Sequence, residues 1–139
     1  NGRLDTIQAA ILLEKLSIFK SELEARDKIA RYYNEHITSE LVKPFIPKGY
    51  SSSWAQYSLL SSSNHQREHI MKRLQNSNIP SMIYYKIPMH LQQVFSKLGY
   101  KVGDFPISEE CSKRIFSIPM HPYLNIEDQD KIINVLNNE

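Results

Sequence analysis

Tyr84, Tyr85 and His90 lie close together in the run YYKIPMHLQ (84–92), with Pro80 just before it and Pro88 inside it. Tyrosine hydroxyls and an imidazole can hydrogen-bond a polyol or a phosphate, while the rings stack on an apolar face. A segment punctuated by two prolines reads as a loop, and loops held by a rigid scaffold concentrate binding groups. The same residues admit a structural role, with Tyr84 or Tyr85 in the core and His90 closing a helix end or a turn. Composition and spacing leave both open. A second candidate lies at the start, where Asn1, Gly2 and Arg3 precede a helical pattern. Asn and Arg side chains, with free N–H groups at a helix start, suit an anion; the alternative is a frayed terminus.

Other constellations carry less. His65 and His69 are four apart with Glu68 between them, a spacing that can place two imidazoles on one metal. No third ligand is evident, so the polar face of a surface helix is expected and no metal site is assigned. Cys111 falls on an apolar face and reads as a small buried hydrophobe rather than a nucleophile. The four glycines (Gly2, Gly49, Gly99, Gly103) are scattered and form no phosphate loop. No paired carboxylates sit at convincing spacing and no nucleophile elbow is present. No catalytic residue is assigned.

Composition narrows the class. At 139 residues, 41% of them hydrophobic, the chain is one domain with enough apolar content for one core. Seventeen Lys and Arg against fifteen Asp and Glu leave a net charge of +2, with the signs mixed. That is no basic field for nucleic acid. The densest basic spot, Arg67, Lys72 and Arg73, reads as a solvated helix face. A single cysteine excludes an internal disulfide framework, and a reducing, cytoplasmic setting fits. No apolar run approaches the roughly 20 residues that span a bilayer, so no membrane partner is expected.

The elements that must position these residues begin with a long helix. Asp5 is its cap, with Gln8 in capping-box spacing. Leu4, Ile7, Ile11 and Ile18 fall on one side, and Leu12, Leu16, Phe19 and Leu23 on a neighbouring one. The pattern continues through Ile29 and Tyr33 towards Ile37. Such length suits a helix linking two domains or lying along a subunit interface. Pro44, Pro47 and Gly49 end it. Residues 54–60 (WAQYSLL) read as a strand of ambiguous buried face, and 65–75 as a helix with Ile70, Met71 and Leu74 inward. Residues 79–84 read as a short strand with Pro80 at a start or edge, and 89–98 as a short helix ending at Gly99. Pro106 opens a helix to about Arg114, with Ile107, Cys111 and Ile115 on one face. A strand at 115–118 and a final helix at 126–136, capped by Asn125, complete the chain. The fold class is α+β, with helices packed on a small, mostly antiparallel sheet of three or four strands.

Three blocks carry a resemblance. NGRLDTIQAAILLEKL resembles the start of the C-terminal part of the DegT/DnrJ/EryC1/StrS sugar aminotransferases. IPSMIYYKIPMHLQ resembles their segment near the sugar-binding loop, and FPISEECSKRIFSIPMHPYL a third block near the end. The blocks fall in order and span essentially the whole chain. The resemblance implies the small domain of a fold-type I aminotransferase over 1–139, with 1–37 as a linking or interface helix and the large cofactor-binding domain absent. Asn1 matches an asparagine that reaches the cofactor phosphate of the neighbouring subunit, and Arg3 an arginine near that shared site. Tyr85 and His90 match positions near the nucleotide-sugar substrate. Pro119, His121 and Pro122 match a mainly structural block. Lys86 departs from the family, standing where many members have proline.

The parent function so implied is transfer of an amino group, from glutamate as amino-acid donor, to a nucleotide-linked keto sugar. Its cofactor is pyridoxal phosphate and its assembly a homodimer with shared sites. The family's cofactor lysine lies in the large domain, and Lys15, Lys20 and Lys28 do not match it. The chain is therefore expected to be a piece of a longer protein, inactive alone and without bound cofactor. The alternative from another class is a non-catalytic ligand-binding or dimerisation module that kept the fold.

Overall fold

The computed structural model describes residues 2–138. Helix α1 (Thr6–His36) runs 31 residues, about 46 Å at 1.5 Å per residue. Asp5 caps it as expected, accepting from Ile7 N at 2.9 Å and Gln8 N at 3.4 Å. Its far end is closed by Asn137, whose side chain donates to His36 O and accepts from Thr38 N, both at 2.8 Å. Only the C-terminal part of α1 enters the core, through Ile29, Ala30 and Tyr33. Leu4, Ile7, Ile11, Leu12, Leu13 and Leu16 are all exposed. The apolar band thus divides into a core-facing half and a half that nothing among the described residues covers.

Strand β1 (Tyr57–Leu60) pairs antiparallel with β2 (Ile115–Ile118), Tyr57 opposite Ile118 and Leu60 opposite Ile115. A single bridge adds Val42 beside Leu60 on one edge, and another adds Met82 beside Ser117 on the other. Four chain segments therefore lie side by side, but only two are strands, fewer than the three or four expected. Residues 79–84 contribute one bridge because Pro80 has no N–H to continue a ladder. The strand expected from 54 begins at Tyr57 because Trp54 turns the chain at φ 49°. That turn also breaks the alternation that made the buried face ambiguous: Tyr57 and Leu59 point inward, and Trp54 joins them.

Helix α2 (Asn64–Asn76) and helix α4 (Ile126–Asn137) pack on the sheet and against each other. Asn125 caps α4 through Asp128 N at 2.7 Å, and Ile132, Ile133 and Leu136 are its buried face. Residues 89–98, expected as one short helix, form two 3-10 turns, Met89–Leu91 and Gln93–Leu98. They end at Gly99 with φ 78°, a left-handed position that glycine reaches without penalty. Helix α3 (Pro106–Arg114) begins with proline in its first turn. Its expected apolar face does not pack: Ile107 is exposed, Cys111 is half-buried rather than buried, and the buried residue of α3 is Glu109.

The core centres on Tyr33, Tyr57 and Phe116, all fully buried, each worth roughly 1.5–3 kcal/mol in apolar transfer. Burial pushes the hydroxyls of Tyr33 and Tyr57 well above the ordinary tyrosine range. Both are satisfied, Tyr33 donating to Pro119 O at 3.1 Å and Tyr57 to Asn34 Oδ1 at 2.6 Å. Among the described residues no helix is long and apolar enough to cross a membrane.

Candidate functional site

The chain leaves the sheet at Met82, where Met82 N donates to Ser117 O at 3.0 Å and Ser117 N returns a bond at 2.8 Å. Ile83 still packs on the core. Tyr84 and Tyr85 then emerge 54% and 67% exposed, so neither is a core tyrosine. Tyr84 lines a cleft of about 200 Å³ with Gln56, Ser81 and Ser117. Lys86 is exposed beside Tyr85. Two phenol groups and a cation on one open segment can meet an anionic, hydroxyl-rich ligand.

His90 sits differently. Its side chain is only 8% exposed and its Nε2 lies 3.0 Å from Glu109 Oε1, itself on a side chain 10% exposed. The imidazole also packs on Phe105, ring centroids 4.7 Å apart. The same Glu109 oxygen accepts from Gly103 N at 2.8 Å and Phe105 N at 3.4 Å. The Gly103 amide, with His90 and the Phe105 amide, holds the Glu109 carboxyl below the usual glutamate range, against the opposing cost of desolvation. The imidazole thus braces a turn, and the exposed polar groups of the segment are Tyr84, Tyr85 and Lys86.

Arg3 lies exposed in the lead-in to α1, and Asn1 lies outside the described residues. Two of the N–H groups expected to be free at the helix start are engaged, since Asp5 occupies those of Ile7 and Gln8. A phosphate there would lie beside the Asp5 carboxylate and needs donors other than the amides of Ile7 and Gln8. Lys15 pairs with Glu22 at 3.2 Å. That bond raises its pKa, the opposite of what an amine nucleophile needs. Tyr123 also donates to Glu22, tying the loop before α4 to α1. Among the described residues no hydrogen bond or ion pair joins 2–12 to 79–105. The two candidate groups are not united within this chain.

Two residues escaped the sequence reading. Glu109, in the first turn of a helix opened by Pro106, reaches back to the Phe105 amide from four positions on, one more than capping-box spacing, so no sequence signal marked it. Arg67 is not on a solvated face. It is buried, and its guanidinium donates to Ser112 O at 2.9 Å and Asn64 Oδ1 at 2.6 Å, joining α2 to the end of α3. Arg73 likewise donates to Val135 O. His65 and His69 stand exposed on α2.

A profile described as the DegT/DnrJ/EryC1/StrS aminotransferase family matches residues 1–137. The chain is 35% identical over 126 residues to the UDP-2-acetamido-2-deoxy-3-oxo-D-glucuronate aminotransferase of Pseudomonas aeruginosa, covering 90% of this chain and 33% of that protein. It is 32% identical to the dTDP-3-amino-3,6-dideoxy-alpha-D-galactopyranose transaminase of Aneurinibacillus thermoaerophilus, covering 99% of this chain and 37% of that protein. A solved DegT DnrJ EryC1 StrS aminotransferase from Brucella abortus superposes with TM-score 0.87 at 51% identity, over 96% of this chain and 35% of that one. The chain spans about a third of the length of each of these proteins.

Proposed function

We propose a function for this chain from one premise: it belongs to the DegT/DnrJ/EryC1/StrS aminotransferase family. The chain is the C-terminal small domain of a pyridoxal-phosphate enzyme that transfers an amino group from glutamate to a nucleotide-linked keto sugar. The observation that carries this reading is the family match across residues 1–137 in a chain one third the length of its relatives. The exposed apolar half of α1 supports the domain assignment, with 1–37 as the segment that meets the large domain and a second subunit.

In that whole protein, a homodimer, Asn1 and Arg3 serve the cofactor phosphate of the shared site. Completing that phosphate site takes donors besides the Ile7 and Gln8 amides, which Asp5 already holds. Pyridoxal phosphate supplies the electron sink for amino transfer. Tyr85 meets the nucleotide sugar directly, and His90 sets the segment that carries it. Arginine stays charged and holds an oxygen rather than moving a proton. The nucleotide sugars in the names of both relatives bear a 3-oxo or a 3-amino group, so a 3-keto sugar is the first substrate class for this protein. The setting is cytoplasmic, where the thiol of Cys111 stays reduced. The chain alone neither transaminates nor binds the cofactor.

The test is a panel of UDP- and dTDP-linked 3-keto sugars offered with glutamate to the whole protein, following both half-reactions by cofactor absorbance in single turnover. Tyr85→Phe should weaken the sugar half-reaction by about tenfold or more and spare the glutamate half. Turnover of no keto-sugar nucleotide, with no cofactor absorbance, would leave a non-catalytic binding or dimerisation module as the better description. A saturable one-to-one pyridoxal phosphate adduct on this chain alone, lost with one lysine, would overturn its assignment as inactive in isolation.

A further inference from the structure

The excursion between the sheet and α3 is held in an unusual way. Among the described residues the backbone hydrogen bonds of 83–98 are local: Leu91 N to Pro88 O at 3.0 Å, Gln92 N to Met89 O at 3.1 Å, Phe95 N to Gln92 O at 2.9 Å and Gly99 N to Ser96 O at 3.2 Å. Neither 3-10 turn buries a residue. Among the described residues, the one hydrogen bond from this stretch to a distant part of the chain is His90 to Glu109, nineteen positions away. Long segments with exposed surface and local bonds open readily unless tied, and here the polar tie is a single carboxylate oxygen, beside the packing of the His90 ring on Phe105. That oxygen also takes the Gly103 and Phe105 amides, so one atom gathers both ends of the second turn region onto the start of α3.

We propose that Glu109 is a positioning residue for substrate binding: through His90 it fixes the reach at which Tyr84 and Tyr85 are presented to a nucleotide sugar. The proposal rests on the reading of the parent as a nucleotide-sugar aminotransferase. The link from His90 back to Tyr85 is short and stiff. Pro88, at φ −54°, allows little rotation between them, and Gln92 Nε2 donates to Ile87 O at 3.3 Å across the same turn. At the other end Met82 is pinned to Ser117. The two tyrosines thus sit on a strap fastened at both ends, at Met82 by the sheet and at His90 by Glu109. Releasing the second fastening leaves the tyrosines chemically intact but free to wander. The cost falls on ligands that need both hydroxyls in one place.

The test uses the whole protein with Glu109→Ala, Glu109→Gln, His90→Ala and the double variant H90A/E109A. Hydrogen exchange reads the strap directly. In E109A the two bonded amides of this stretch, Leu91 and Gln92, should exchange about tenfold faster or more, while those of β1 and α4 keep their protection. The Michaelis constant for the best keto-sugar nucleotide of the panel should rise about tenfold in E109A, with the glutamate half-reaction within about twofold of wild type. E109Q keeps an acceptor for the Gly103 and Phe105 amides and should fall between. The double variant should be no worse than the worse single one, because both cut the same tie. Unchanged exchange in E109A, equal loss in both half-reactions, or losses that multiply in the double variant would each overturn the proposal. Should the wild-type protein turn over no keto-sugar nucleotide, the parent reading fails separately. The exchange measurement still decides whether Glu109 fastens the strap.

Discussion

The Tyr57 hydroxyl donates to Asn34 Oδ1 at 2.6 Å, so the first residue of the central strand is bolted to the long helix by one bond inside the core. Tyr57→Phe keeps the ring contact with Tyr33, centroids 5.0 Å apart, and leaves Asn34 without that donor. The expected loss is about 1 kcal/mol in urea denaturation. Asn34→Ala should cost a similar amount, and the two together less than the sum, because they share one bond. Additive losses would mean the bond is not formed in solution.

Which parts of this architecture could be read in the residues follows from how local their causes are. The start of α1 rests on Asp5 bonding the amides of Ile7 and Gln8, and that of α4 on Asn125 bonding Asp128; both causes sit within three residues. The central strand was legible as a run, but its inward face was not, because the turn at Trp54 resets the alternation. Tyr84 and Tyr85 were visible as chemistry, whereas the bracing of His90 depends on Glu109, an acid beyond two turns and a proline. Arg67 shows the same limit. A basic residue on a helix reads as solvated unless the carbonyl at Ser112 that receives it can be foreseen.

Arg67 therefore makes a sharp test of packing. Its guanidinium is buried and donates to oxygens of Ser112 and Asn64, with no carboxylate partner among the described residues. Arg67→Met fills much of the volume and strands those acceptors, at a cost on the order of 2 kcal/mol. Arg67→Lys offers one point charge in place of a fork and should recover only part of the loss. Equal stability of wild type and R67M in thermal melts would assign Arg67 no structural weight.

The exposed half of α1 predicts association. Ile7, Ile11, Leu12 and Leu16 present apolar surface along several turns, more than a lone domain leaves uncovered without consequence. The isolated chain should self-associate in sedimentation equilibrium. Leu12→Glu with Leu16→Glu should return it to monomer while changing stability by less than about 0.5 kcal/mol per site. A strict monomer at high concentration before any substitution would show that the band is not adhesive by itself.

The last expectation concerns acid. Gly103 N, His90 and Phe105 N hold the Glu109 carboxyl below its ordinary value of 4.5. A carboxyl with a depressed folded pKa stabilises the fold above its unfolded pKa, and that stability is lost as pH falls through the folded value. The fastening of residues 83–105 should thus be complete at neutral pH and loosen only below the ordinary glutamate range. The Gly103 amide is the reporter, since it donates to the titrating oxygen at 2.8 Å. With selective glycine labelling, its proton resonance should move upfield in one step whose midpoint lies under 4.5, as the acceptor loses its charge. Gly2 and Gly49, remote from that oxygen, should not follow. In Glu109→Gln the step should vanish, because the amide acceptor does not titrate. A midpoint at or above 4.5 in the wild type, or the same step in E109Q, would place the titrating group elsewhere and remove the charge from the clasp.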